Sequence, residues 1–395
     1  MRYRISPLRA TVCSLATVSM SLVGLAVTSS ATAGAQSARH DGASSAVSRA
    51  EKQINGYEKV PKFVAPDKPF SIKKLKGRTI GVVSITTTAP AIAQNTDSIK
   101  AAGKAAGVNV TVTNAKTTPG LMTQGIQHAI SQHDGAIILV GIPANFVLSG
   151  VKQASKAGIP VITMDDYQPT PNAKGQSTVP KTTKYDYGDA DATLFLQGQL
   201  AADVAIVHWK GEVNAVIVNS AGLTQGPSII RGYLSVLHKC STCHIVATTN
   251  VEIATWFTKL APLVGSLVKD YPTVNTIMPI FNDMVSLMVP AVKTDGYAGK
   301  VIVEGTGGGI VTLVPAYPTI WVKFVGSSNF WTGWAATNQA LRAMLKLKPA
   351  NPIGGRPRVV SPQEAGAESA AGKKDSALFG LAYARDFKKL WKLTT

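Results

Sequence analysis

Thr79-Ile-Gly-Val-Val-Ser84 is the stretch whose reading decides the fold. It is a short, continuous apolar run rich in β-branched residues, without polar alternation. Such a run fits a strand buried on both faces, the environment of a parallel sheet covered by helices. The same signature returns at residues 108–112, 136–140 and 159–164. Between these runs lie helical faces: Met122, Ile126 and Ala129 share one, and Val147, Val151 and Ala154 share the next. The repeat of roughly 25–30 residues is the size of a βαβ unit. Gly107, Gly135 and Gly158 each precede a strand, where a left-handed C-cap stops the helix before it.

The pattern then restarts. Residues 213–218, 245–249, 274–280 and 301–304 form a second set of buried-type strands. Ile230, Tyr233, Leu234 and Leu237 give one helical stripe, and Phe257, Leu260, Ala261, Val264 and Val268 another. Two consecutive α/β units, each a doubly wound parallel sheet, follow. A last long helix over about 329–347 points Trp334, Leu341 and Leu345 inward. A Pro/Gly/Ala-rich loop over 351–372 and a basic terminal element ending near Trp391 come after it.

The 395 residues, 45% apolar and 16% charged, suffice for two packed cores and exclude wholesale disorder. Lys and Arg number 40 against 22 acids, a formal charge of +18 without long blocks. No nucleic-acid motif accompanies it, so a basic solvated surface is expected, and no nucleic-acid partner. Arg2, Arg4 and Arg9 precede an apolar run over about 10–27, and Ala31-Thr-Ala33 and Ala33-Gly-Ala35 both fit an A-x-A cleavage site. Residues 1–35 therefore read as a signal peptide, which places the mature chain in the periplasm or outside the cell. Residues 36–77 read as a leader, Ala/Ser-rich and flexible to about 48, then a Pro-punctuated strap over 51–76.

Several segments, taken in order, resemble type I periplasmic sugar-binding proteins, the ribose/galactose-binding group of ABC importers. They are Gly77-Arg-Thr-Ile-Gly-Val-Val-Ser, Gly158-Ile-Pro-Val-Ile-Thr-Met-Asp-Asp166, Ile230-Arg231-Gly232, Phe281-Asn282-Asp283 and Val303-Glu304-Gly305. Each is weak alone; the order and spacing are specific. The resemblance implies two lobes joined by three crossing segments, near 185–187, 304–306 and 321–324. The N-terminal lobe would hold 78–186 and 328–350, and the C-terminal lobe 187–327 and 373–395. It further implies ligand contacts from Asp165, Asp166, Arg231, Asn282 and Glu304. Thr87 in the first loop and Trp256 are added here as a hydroxyl donor and a stacking ring, because the family's usual first-loop aromatics are missing.

Position supports these choices, since ligands in open parallel sheets lie beyond the C-terminal ends of strands. Carboxylates, an amide and a guanidinium suit a ring bearing several hydroxyls. Each residue also has an ordinary reading. Asp165 and Asp166 fit loop acids, Asn282 a helix N-cap, and Arg231 a surface helix position.

Cys240-Ser-Thr-Cys243-His244 matches haem attachment, and zinc also comes to mind with His238 nearby. A haem would displace core packing between a helix and a strand, and zinc lacks a second ligand pair. In an oxidising compartment a Cys240–Cys243 disulfide is the expectation. Gly305-Thr-Gly-Gly-Gly-Ile310 completes neither a dinucleotide fingerprint nor a P-loop, and no nucleophile elbow or H-E-x-x-H occurs. The expectation is a monomeric binding protein, not an enzyme, without cofactor or metal. It captures a small polar, sugar-like solute, first of all a monosaccharide, for a membrane permease. A nucleoside or polyol ligand, a sensor serving a kinase or chemoreceptor, and a secreted enzyme on the same fold are the rival readings.

Overall fold

A computed structural model describes residues 29–164, 183–190, 193–221, 223, 225–308, 311–350, 355–370, 378–380 and 382–393. The first sheet contains β1 (Thr79–Ser84), β2 (Asn109–Asn114), β3 (Ala136–Val140), β4 (Val161–Met164) and β5 (Gly188–Asp189). Its order is β2-β1-β3-β4-β5, with every pairing parallel. The second contains β6 (Asn214–Asn219), β7 (His244–Asn250), β8 (Thr276–Pro279) and β9 (Ile302–Val303), ordered β7-β6-β8-β9 and again all parallel. This is the pair of doubly wound parallel sheets expected from the apolar runs. Central β3 is buried at every residue, whereas the edge strands β2 and β7 carry Thr and Asn at partly exposed positions.

Helix α1 (Ser29–Asn55) precedes the first sheet. Helices α2 (Pro90–Ala106), α3 (Pro119–Ser131) and α4 (Leu148–Lys156) follow β1, β2 and β3. Helix α5 (Leu194–His208) leads into the second sheet, and α6 (Gly226–Leu237), α7 (Trp256–Asp270) and α8 (Asn282–Thr294) follow its first three strands. Helix α9 (Asn329–Met344) returns to the first sheet and packs on α2, β3 and β4, with Trp334 and Leu341 buried. Helices α5 and α6 cross where Gly198 meets Gly232. A Cβ on Gly232 would collide with the Phe195 carbonyl, so that glycine is required by close packing.

The passages between the sheets differ from those expected. Gly188 and Asp189 still pair with β4, so the first passage comes after Asp189. Residues 304–306 do not cross. Asn282 N–H donates to the Thr306 carbonyl and Thr306 Oγ1 donates to the Ile280 carbonyl, which keeps this turn with the second sheet. The other passages are β10 (Phe324–Gly326), which leads to α9, and β11 (Arg358–Val360), which leaves it. The two pair antiparallel. The expected loop over 351–372 thus contains a strand and helix α10 (Pro362–Ala370), which packs on the turn at 311–316.

Both termini depart from expectation. The leader is helical: Ala43, Ala46, Ala50 and Ile54 form a buried stripe, and α1 packs on α5. Alanine is the best helix former, and the three- and four-residue spacing of the stripe supplies the apolar face. Helix α11 (Ala382–Leu390), expected with the second sheet, lies on α2 and α9 instead. Its rings explain this. Trp391 stacks on Trp334 with centroids 5.3 Å apart, and Phe387 meets Phe63 of the strap at 5.1 Å. The segment proposed to be a signal peptide lies outside the described residues up to residue 28. Among the described residues no helix is long and apolar enough to cross a membrane.

Cys240 and Cys243 are joined as a disulfide with Cα atoms 5.3 Å apart, in the turn from α6 to β7. Closing so short a loop contributes about 2 kcal/mol by chain entropy. Reduction should lower the melting temperature by about 2–4 °C and leave the far-ultraviolet dichroism unchanged. Loss of secondary structure on reduction would contradict a merely local role.

Candidate functional site

A cavity of about 380 Å³ opens between the loops after β1 and β2 and the segments after β7 and β8. The first lobe contributes Thr86, Thr88, Ala89, Pro90, Asn114, Lys116 and Thr117. The second contributes Ile253, Ala254, Trp256, Phe257, Asp283, Ser286 and Leu287. Both sets lie beyond C-terminal strand ends, where this fold class places ligands.

The first wall is braced by its own short polar side chains. Thr88 N–H donates to Thr86 Oγ1 at 3.2 Å, and the two hydroxyls lie 2.9 Å apart. Asn114 Nδ2 donates to Thr87 Oγ1 at 2.7 Å, while its Oδ1 accepts from Lys116 N–H at 3.0 Å. That Asx turn supports the left-handed backbone of Lys116 and Thr117, at φ 47° and 59°. On the second wall, Trp256 opens α7. Its Nε1 donates to Ser220 Oγ at 3.3 Å and to the Val251 carbonyl at 3.2 Å, which fixes the ring.

Asp283 stands in the first turn of α8, and Ser286 and Leu287 follow it at i+3 and i+4 on the same face. It is only 8% exposed. Burial pushes its carboxyl up to about 7, against the Ala91 backbone N–H, which favours the charged form. Ala91 belongs to the first turn of α2, in the other lobe, so a carboxylate of one lobe faces a helix N-terminus of the other. Asp283 Oδ1 has no hydrogen-bond partner among the described residues.

The residues named from sequence fall in different places. Trp256 lines the pocket, and Thr87 stands beside it, exposed and bonded to Asn114. Asn282 is fully buried, its Nδ2 donating to the Gly307 and Val325 carbonyls, both at 2.9 Å. Glu304 is equally buried; its Oε1 accepts from Val322 N–H at 2.8 Å and Lys323 N–H at 3.2 Å. Burial pushes its carboxyl well above the usual range, against those two donors. Asn282 and Glu304 therefore bind the 304–308 turn to the passage that leads into α9. Arg231 is half-buried on α6, with Nη2 donating to Ser228 Oγ at 3.2 Å, and it does not line this pocket. Asp165 and Asp166 lie outside the described residues. Sequence reading missed Asp283, Ser286 and Leu287, although their spacing from a helix start was visible. It also missed the turn after β2, which Asn114 announces.

Two parallel-sheet lobes with a pocket between their strand ends define a two-lobed binding protein of the α/β class. Residues 80–347 match the family described as periplasmic binding protein domain, and the chain belongs to that family. Among solved structures, the chain is similar to a 5-methylthioribose transporter solute binding protein from Thermotoga lettingae TMO in complex with 5-methylthioribose. That match has a TM-score of 0.65 and 16% identity, covering 80% of this chain and 99% of the other. A periplasmic solute binding protein of an ABC transporter from Actinobacillus succinogenes 130z, with bound D-allose, gives 0.62 and 19%, covering 73% and 99%. One from Bacillus halodurans C-125 with bound myo-inositol gives 0.63 and 14%, covering 75% and 98%. At these identities the likeness is one of fold. No curated protein matches the chain.

Proposed function

We propose that this chain is the extracytoplasmic solute-binding component of an ABC importer, capturing a small polar solute of the monosaccharide class between its lobes. The observation that carries the reading is the cavity whose walls come from both lobes. A ligand touching both walls stabilises the closed arrangement over the open one, so binding and closure are a single equilibrium. The closed form is what a membrane permease would receive. The basic residues at the start of the chain and the A-x-A sites support export, and the absence of any catalytic motif supports binding without turnover. Known similar structures hold a methylthiopentose, a hexose and a cyclitol, which supports a polyhydroxylated ring.

Isothermal titration of the purified chain with monosaccharides, polyols and nucleosides tests this. A saturable heat with one chemical class is expected. Silence across the whole panel would count against a solute-binding role.

A further inference from the structure

We infer that the interlobe pocket selects a solute carrying a protonated amine beside an apolar face, with Asp283 as the counter-ion. This rests on the solute-binding reading and adds a charged group to its substrate class.

Three observations converge. First, Asp283 is an acid placed where the protein does not complete it. It is 8% exposed, lines the cavity, and leaves Oδ1 without a hydrogen-bond partner among the described residues. Among the described residues the group that opposes its burial is the Ala91 backbone N–H of α2, a partial charge, and Lys116, the cation lining the same cavity, does not act on it. A buried carboxylate held this way is costly unless a full positive charge reaches it. A hydroxyl would satisfy the oxygen but leave the charge uncompensated. An ammonium satisfies both.

Second, about half of the cavity lining is apolar. Trp256, Ile253 and Leu287 come from the second lobe, and Ala89 and Pro90 from the first. The indole N–H of Trp256 is already committed to Ser220 and Val251, so the ring offers the cavity a π surface and no donor. Such a face attracts cations and packs on hydrocarbon alike.

Third, the remaining polar groups are largely engaged with one another. Thr86 bonds Thr88, Asn114 holds both Thr87 and the Lys116 backbone, and Ser286 Oγ donates to the Asp283 carbonyl. Among the described residues a hydroxylated ring must share these engaged groups, and an amine added to it gains the carboxyl oxygen that the walls leave without a partner. A molecule with one strong donor and one apolar face finds what it needs. The net charge of +18 repels a cation at long range, but screening confines that repulsion to about 8 Å at physiological salt. Contact with Asp283 is made well inside that distance.

The test is titration calorimetry of the full chain at about pH 8, where the carboxylate is mostly ionised. Matched pairs serve as probes: 1-amino-1-deoxysorbitol against sorbitol, and 2-phenylethylamine against 2-phenylethanol. The amine of at least one pair should bind tenfold or more tightly than its alcohol. Asp283→Asn should abolish that preference while its melting curve stays at or above that of the parent. An alcohol that binds as well as its amine, or an Asn variant that keeps the preference, would overturn the inference and leave solute binding standing. Silence from all four probes would overturn it as well. Only silence from the wider sugar, polyol and nucleoside panel too would bring down the solute-binding reading with it.

Discussion

Replacing Trp391 with alanine should destabilise the protein by about 3–5 kcal/mol, the usual cost of deleting a large buried ring. The ring is fully buried, lies parallel to Trp334 at 5.3 Å, and packs on Phe387 at 5.8 Å. Its Nε1 donates to Asn338 Oδ1 at 2.9 Å, so the substitution also strands a buried amide. Trp334 and Asn338 both belong to α9, which seals one face of the first sheet, and the loss should spread into that lobe. Denaturant unfolding followed by tryptophan fluorescence would measure it. A change under about 1 kcal/mol would mean that the tail is an appendage rather than a part of the core.

Raising the pH from about 5 to about 9 should lower the melting temperature, the reverse of what paired carboxylates give. Asp203, on α5 beneath α1, is pushed up to about 8 by burial, against the nearby charges of Arg49 and Lys239. Asp283 is pushed up to about 7, and Glu304 well above its ordinary value, again chiefly by burial. In the unfolded chain these groups ionise near pH 4. Between that pH and the folded values the native state binds more protons, so stability is greatest at the acid end and declines as pH rises. Each pH unit of such mismatch costs about 1.4 kcal/mol per group. Scanning calorimetry across the range should show the decline, and Asp203→Asn should flatten its upper part. A melting temperature that climbs with pH would contradict the buried, weakly compensated state of these acids.

The sheets were legible because short β-branched apolar runs such as Ala136-Ile-Ile-Leu-Val140 recur at the spacing of βαβ units, with helical faces between them. Short elements were not legible. β5, β10 and β11 have two or three residues each, and only their partners make them strands. Helix α10 could have been read from Ser361-Pro-Gln-Glu364. There Glu364 N–H donates to Ser361 Oγ at 3.2 Å and Ser361 N–H to Glu364 Oε2 at 3.1 Å, a reciprocal cap. Helix α1 hid behind its Ala and Ser content, which suits a linker and a helix equally until the buried stripe is counted. At the site, Trp256 was legible as an aromatic at a helix start. Asp283 was not, because an acid in a first helical turn is common, and the backbone N–H that meets it is Ala91 of α2, some 190 positions earlier in sequence.

The strap has a thermodynamic effect on capture. Its helix α1 is seated on the second lobe, and Phe63 stacks on Trp331 of the first at 5.7 Å. Midway, Tyr57 and Glu58 are stitched to β11 through the Val359 N–H and Arg358, and Glu58 also meets Lys323 at 3.0 Å. Bridging both lobes in this way, the strap should narrow the range of gapes that two lobes on bare connections would sample. Less freedom would then be surrendered when a solute draws the lobes shut, and a given set of contacts should yield tighter retention.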